Sequence, residues 1–265
     1  MNITSKLQQE YIQQHIRHQR IILISRILVF LFFIFIWQYT TDIGLIDSFI
    51  FSSPSKIINC FVDMIKDHSI FIHVGVTLYE TIFSFLLVVI TTVITSILLW
   101  FSSSLAEILD PYIVILNSLP KSALAPLLIV WLGTNQVTII VCGMSVAIFG
   151  SILSLYTSFQ STDSEKIKLI YTLQGNKIHA LTKVVLPSSI PALISIMKVN
   201  IGLCLVGVVI GEFLAARNGL GYLIIYASQV FKMDWLLMSI VLLCIMAMGL
   251  YAFINFIEKK YNQKH

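Results

Sequence analysis

Charge is what this sequence has least of. Only 11% of its 265 residues are Asp, Glu, Lys or Arg, against about 25% in soluble domains, and that deficit excludes an ordinary water-facing surface. No G-x-x-x-x-G-K-[ST] run occurs, so the chain lacks the loop whose backbone N–H groups cradle nucleotide phosphates and cannot hydrolyse ATP by that route. C-x-x-C and H-E-x-x-H runs are also absent. The four cysteines (Cys60, Cys142, Cys204, Cys244) are far apart, three of them within apolar runs, and read as small buried hydrophobes. The net charge of +4 comes from basic residues scattered between apolar runs, not gathered into the stripe that nucleic-acid binding needs. His15 and His18 have no cysteine or carboxylate cluster beside them and read as a solvated helix face, not metal ligands. No catalytic constellation, metal site or cofactor motif is visible.

What fills the chain is apolar length. Hydrophobic residues make up 57% of it, and six segments can cross a hydrocarbon core about 30 Å thick: Ile21 to Thr40, Val74 to Trp100, Tyr112 to Leu132, Val137 to Phe159, Ile190 to Leu214 and Trp235 to Ile257. The expected architecture is all-α, one polytopic domain over 1–265. Asn117, Pro120, Lys121 and Pro126 interrupt the third segment. The first is too long for a signal peptide and no A-x-A site follows it. Lys and Arg concentrate in the segments that are cytoplasmic when the N-terminus is inside, ten against four in the outer segments. Both termini are therefore expected in the cytoplasm, residues 1–20 forming a cytoplasmic segment.

Two connections carry helix punctuation of their own. In the outer stretch Thr41 to His73, residues Ile57, Ile58, Phe61, Met64 and Ile65 recur at helical spacing, with Ser53 or Ser55 available as a cap. This predicts an amphipathic helix at the outer surface. The largest cytoplasmic loop, 160–187, opens with Thr162-Asp163-Ser164-Glu165, a capping-box pattern that starts a helix near Asp163. Gly175-Asn176 breaks that helix, Asn176 caps a second short one, and Pro187 is expected to end it. On the first helix Ile167, Ile170 and Tyr171 form a stripe at i, i+3 and i+4. On the second, Ile178, Leu181 and Val184 are expected to anchor back to the spans.

At this loop the sequence resembles the permease subunits of bacterial ATP-binding-cassette importers, in particular the sulfonate, taurine, nitrate and thiamine-precursor group with its MetI-like fold. To the family signature, Glu-Ala-Ala, then glycine, then Leu-Pro about thirteen residues later, corresponds here the run from Lys168-Leu169-Ile170 through Gly175 to Leu186-Pro187, with two departures. Lys168-Leu169-Ile170 replaces Glu-Ala-Ala, and Gln174 stands at the usual glycine position. Further blocks are Ser118-Leu119-Pro120-Lys121 with Ala125-Pro126 through Trp131-Leu132-Gly133, the Gly211-Glu212 ending of the fifth span, and Gly219-Leu220-Gly221-Tyr222-Leu223-Ile224. The resemblance implies a bacterial inner-membrane importer subunit working as a pair, a homodimer by family habit. It further implies two separate cytosolic ATPase subunits and an external substrate-binding protein. It also implies that Glu165, Ile167, Lys168, Leu169, Ile170, Tyr171, Leu173, Gly175, Leu186 and Pro187 form the loop that couples to the ATPase.

Single residues leave alternatives. Lys198 and Glu212 point within about 40 degrees of one helix face but lie about 21 Å apart, so they cannot pair. Either they face the pathway or subunit interface, or Lys198 snorkels and Glu212 is interfacial. Lys121, between Pro120 and Pro126, either lines the pathway, where it would suit an anionic solute such as a sulfonate, nitrate or pyrimidine-like compound, or sits at the cytoplasmic interface. Gly219 and Gly221 form a tight turn, which with Tyr222 either meets the binding protein or is a plain loop. Glu80 and His73 read as interfacial groups. A secondary transporter would show symmetry between halves, which the hydropathy lacks. An intramembrane enzyme would need more than Arg26, Glu80, Lys121, Lys198 and Glu212 as charged candidates.

Overall fold

Twelve helices run in chain order through the computed structural model, which describes residues 6–263, with side chains from residue 13 onward except at 262. The parts of the expected cytoplasmic N-terminal segment at 1–5 and of the C-terminal basic run at Lys264 lie outside the described residues. The helices are α1 (Lys6–Asp42), α2 (Ser48–Phe51), α3 (Pro54–Lys66), α4 (Ser69–Phe101), α5 (Ser103–Ser118), α6 (Lys121–Leu132), α7 (Gln136–Gln160), α8 (Ser164–Thr172), α9 (Lys177–Ala180), α10 (Leu186–Ala215), α11 (Leu220–Gln229) and α12 (Met233–Asn262). No strand occurs among the described residues.

The centre is a tight triple of α4, α7 and α10. The Ser84 hydroxyl donates to the Ile140 carbonyl at 2.9 Å and that of Ser96 to Ile152 at 3.4 Å. Both contacts have a sequence offset of 56, so α4 and α7 run parallel. Gly207 allows the close crossing of α10, since a Cβ there would sit 2.8 Å from the Cys142 carbonyl, a small-residue contact typical of helices packed in lipid. Phe85, Val88, Ala147, Ile201, Cys204 and Ile254 fill the adjoining core. Cys142 and Cys204 are buried and no disulfide forms among the described residues.

Parallel α4 and α7 require the chain between them to return across the bundle, and this decides the third expected span. Instead of one helix over Tyr112 to Leu132, α5 and α6 meet at a 99° bend. Pro120 forces Leu119 into extended backbone (ψ 140), and Lys121 satisfies the freed end of α5 by donating to the Leu116 and Asn117 carbonyls, both at 2.9 Å. The pair is one broken crossing. With α1, α4, α7, α10 and α12 it makes six crossings of a multi-pass membrane protein, their ends alternating.

Two other boundaries differ from expectation. Pro187 does not end a loop helix. It lies in the first turn of α10, and a π-helical stretch, Leu181–Val185, joins α9 to α10, with the Leu186 N–H bonding Leu181 O. Proline has no N–H to give the preceding turn, and the wider turn accommodates its ring. In addition, α1 is continuous from Lys6, so the stretch before Ile21 is helical as far as it is described. Near its end α1 is tied down where Gln38 Oε1 accepts the Ser55 N–H at 3.0 Å and Trp37 packs with Ile57 and Met64 of α3. Most of its apolar side chains, Ile21 through Phe35, remain uncovered by this chain.

Surface helix α3 begins as expected, Ser53 Oγ accepting the Lys56 N–H at 3.3 Å. Its inward face is Ile57, Cys60, Met64 and Ile65, while Ile58 and Phe61 point away.

Candidate functional site

At one end of the bundle, α11 begins without a cap of its own, because Gly219 has no side chain. Its free N–H groups are taken by residues from α4 and α10 instead. Gly219 N donates to His73 Nδ1 at 3.1 Å, Leu220 N to Thr77 Oγ1 at 2.8 Å, and Gly221 N to Glu212 Oε2 at 2.6 Å. The Thr77 hydroxyl in turn donates to Glu212 Oε1 at 2.6 Å. A carboxylate at a helix N-terminus is favoured by the exposed amide dipoles, and here it is 1% exposed.

The two glycines make this approach possible. Gly219 has φ +119, and a Cβ at Gly221 would lie 2.7 Å from Glu212 Oε2 and 2.9 Å from the Val209 carbonyl. Both are buried, so a partner reaching this surface would meet Arg217, Asn218 and half-exposed Tyr222, not the glycines. Glu212 is buried within the protein, and so is Glu80, which is 0% exposed and one turn beyond Thr77 on α4.

Lys198 lies far from this cluster and pairs with Glu258 of α12, its ammonium also 5.9 Å from the Tyr251 ring centre. The sequence signal for Glu258 was faint: an acid one residue past the last expected span.

The expected pathway residues do not converge. Pro120 and Lys121 form the α5–α6 break, Pro126 lies inside α6, and Lys198 and Glu212 are each engaged elsewhere. A cleft of about 270 Å³ opens between α5, α7 and α10, its mainly apolar lining interrupted by Asn117, Ser151, Ser154, Ser195 and Asn200. These uncharged groups were passed over because hydropathy averages dilute them. Ser151 and Ser154 at i, i+3 were the available signal.

At the opposite end, α8 is capped by Asp163, whose carboxylate accepts the Glu165 N–H at 2.9 Å. Thr162, the expected cap, instead lies 3.4 Å from the Ser188 hydroxyl. Asn176 caps α9 as expected, reciprocally with His179. The expected stripe divides: Ile167 packs inward with Leu155, Phe159, Leu181 and Val185, and Ile170 is partly covered, while Leu169, Tyr171 and Leu173 are exposed. Ile178 is also exposed rather than anchoring. Anchorage comes from Leu181, Val185 and Lys177, whose ammonium donates to Phe101 O at 2.7 Å at the end of α4. Glu165 and Lys168 are exposed, Gly175 and Leu186 partly covered and Pro187 exposed.

A bundle of six apolar crossings, a cleft carrying Asn and Ser side chains between three of them and a projecting capped loop fit a membrane transport subunit. The family model for the binding-protein-dependent transport system inner membrane component matches residues 88–264, and the chain belongs to that family, as an ABC importer permease. A Haemophilus influenzae protein named as an ABC transporter permease is 28% identical over 91% of this chain and 98% of its own. A Bacillus subtilis permease named for aliphatic sulfonates transport is 24% identical over 85% and 82%. The taurine transport system permease protein of Escherichia coli is 22% identical over 80% and 79%. In fold the chain is similar to an inward-facing methionine ABC transporter, with a TM-score of 0.61 at 16% identity over 71% of this chain and 94% of that one.

Proposed function

We propose that this chain forms half of the translocation pathway of a bacterial plasma-membrane importer for a small organic anion. A second copy completes the pathway, an external binding protein delivers the solute, and two cytosolic ATPase subunits drive the cycle. The observation that carries this reading is the loop 160–187: a capped helix held to the bundle by Ile167 and Lys177 while Leu169, Tyr171 and Leu173 project outward. An apolar set projecting from a polar loop calls for a partner groove. The ten-to-four basic bias supports placing this end, and both termini, in the cytoplasm.

The solute class rests on two supports. Relatives are named for aliphatic sulfonates and taurine, and the cleft offers Asn117, Asn200 and serine donors suited to oxyanion oxygens. Lys121 does not line the cleft, its ammonium being held on the carbonyls that end α5.

The decisive test is copurification with the ATPase of the same transport system. Leu169→Asp with Leu173→Asp should abolish ATPase binding and solute uptake while leaving membrane insertion intact. Leu169→Pro, which breaks α8 at a cost of about 3 kcal/mol, should do the same. Retained ATPase binding with normal uptake in both variants would overturn the coupling assignment. Membrane-impermeant maleimide should fail to label a single cysteine placed at Gln263 in intact cells.

A further inference from the structure

The Glu212 cluster leaves one group unbalanced. Glu80 is fully buried, yet neither of its carboxylate oxygens has a hydrogen-bond partner among the described residues. It lies beside Glu212, whose two oxygens are already occupied by Thr77 and Gly221. His73, the other titratable group there, accepts at Nδ1 from Gly219 N, which is the neutral tautomer's role. Two carboxyl groups thus share a buried place with no cation upon them, where both cannot ionise together unless a positive charge joins them.

Of the two, Glu80 borders a cavity. A cavity of about 210 Å³ is lined by Glu80 together with Asn135, Gln136, Ala216, Arg217 and Asn218. Its walls include the C-terminal end of α10 and the N-terminal end of α7, whose opposite partial charges offset each other, so the Glu80 carboxyl sets the charge preference of the cavity. The guanidinium of Arg217 forms no ion pair among the described residues, and the residue is exposed. No group of three His, Cys, Asp or Glu residues among those described could cage a metal ion. Directional N–H donors, by contrast, suit an unpartnered carboxylate.

We propose that this cavity is a socket for one cationic group bearing N–H donors, an ammonium or a guanidinium, which pairs with Glu80. The cation is either the side chain of Arg217 folding inward or a soluble amine from outside. This inference does not depend on the importer reading.

The test uses the purified full chain in lipid nanodiscs, with methylammonium and methylguanidinium as probes and tetramethylammonium, which has no N–H, as control at equal ionic strength. The N–H cations should raise the unfolding midpoint saturably, and Glu80→Gln should lose that shift. An external source predicts the shift in the wild type. Arg217 as the resident cation predicts it only in Arg217→Ala. Should Glu80→Gln fold poorly, protection of Glu80 from carbodiimide modification, read by mass spectrometry on the wild type and Arg217→Ala, replaces it. The proposal is overturned if neither protein shows shift or protection, if tetramethylammonium acts equally, or if the shift survives in folded Glu80→Gln.

Discussion

Glu212 Oε2 accepts the backbone N–H of Gly221 at 2.6 Å, which makes the last turn of α10 the cap of the next helix. The contact closes the turn between α10 and α11, and Thr77 bolts it to α4 through one hydroxyl that donates to Glu212 and accepts from Leu220. Thr77→Val should orphan a buried carboxylate oxygen and a buried N–H, each costing about 1–3 kcal/mol. Thr77→Ser should stay close to wild type. Gly221→Ala should destabilise, whereas Gly202→Ala and Gly249→Ala, where a Cβ would meet nothing within 4 Å, should gain about 0.5–1 kcal/mol of helix stability. Reversible unfolding in detergent reads all five.

Gln174 carries φ +61, the left-handed conformation that glycine tolerates best. Gln174→Gly should therefore stabilise the bend by about 1 kcal/mol. Gly175 does not have positive φ, but it is required for another reason: a Cβ there would lie 2.8 Å from the Ile170 carbonyl. Gly175→Val should accordingly open the end of α8, seen as faster amide exchange at Leu173 and Gln174. Unchanged exchange would contradict the close approach.

Lys198 and Glu258 tie α10 to α12 with both side chains mostly covered. Removing one partner leaves a poorly solvated charge, so Lys198→Met and Glu258→Gln should each cost about 2 kcal/mol or more, and the double variant less than their sum. Strict additivity would show that the pair is not coupled.

Cys60 on α3 has its thiol pushed up to about 11, first by burial and then by Asp234 and Asp63. The reactive thiolate is thereby depleted about 100-fold relative to an unperturbed thiol near pH 8. Iodoacetamide should modify Cys60 correspondingly slowly, the rate climbing with pH beyond the range where a free cysteine levels off. Asp234→Asn should speed it.

Much of the plan was legible because it rests on local chemistry. Apolar runs of membrane length, the Ser53 and Asn176 caps, the residues that interrupt the third span and the helix beginning near Asp163 each depend on residues within one or two turns of each other. The cap at Asp163 was misplaced by one residue because Thr, Asp and Ser in succession offer equivalent oxygens to the same amides.

Composition and local pattern alone determined that this chain crosses a membrane several times, carries a helical loop between its fourth and fifth crossings, and resembles an importer permease. Tertiary structure decided which charges meet. Glu212 finds Thr77 across 135 residues and Lys198 finds Glu258 across 60, while Leu169 and Leu173, not Ile167, remain exposed. Each residue turns a helix by about 100°, so small changes in rotation and register, set by the packing of α4, α7 and α10, redirect a side chain from core to surface, and no local signal encodes that choice.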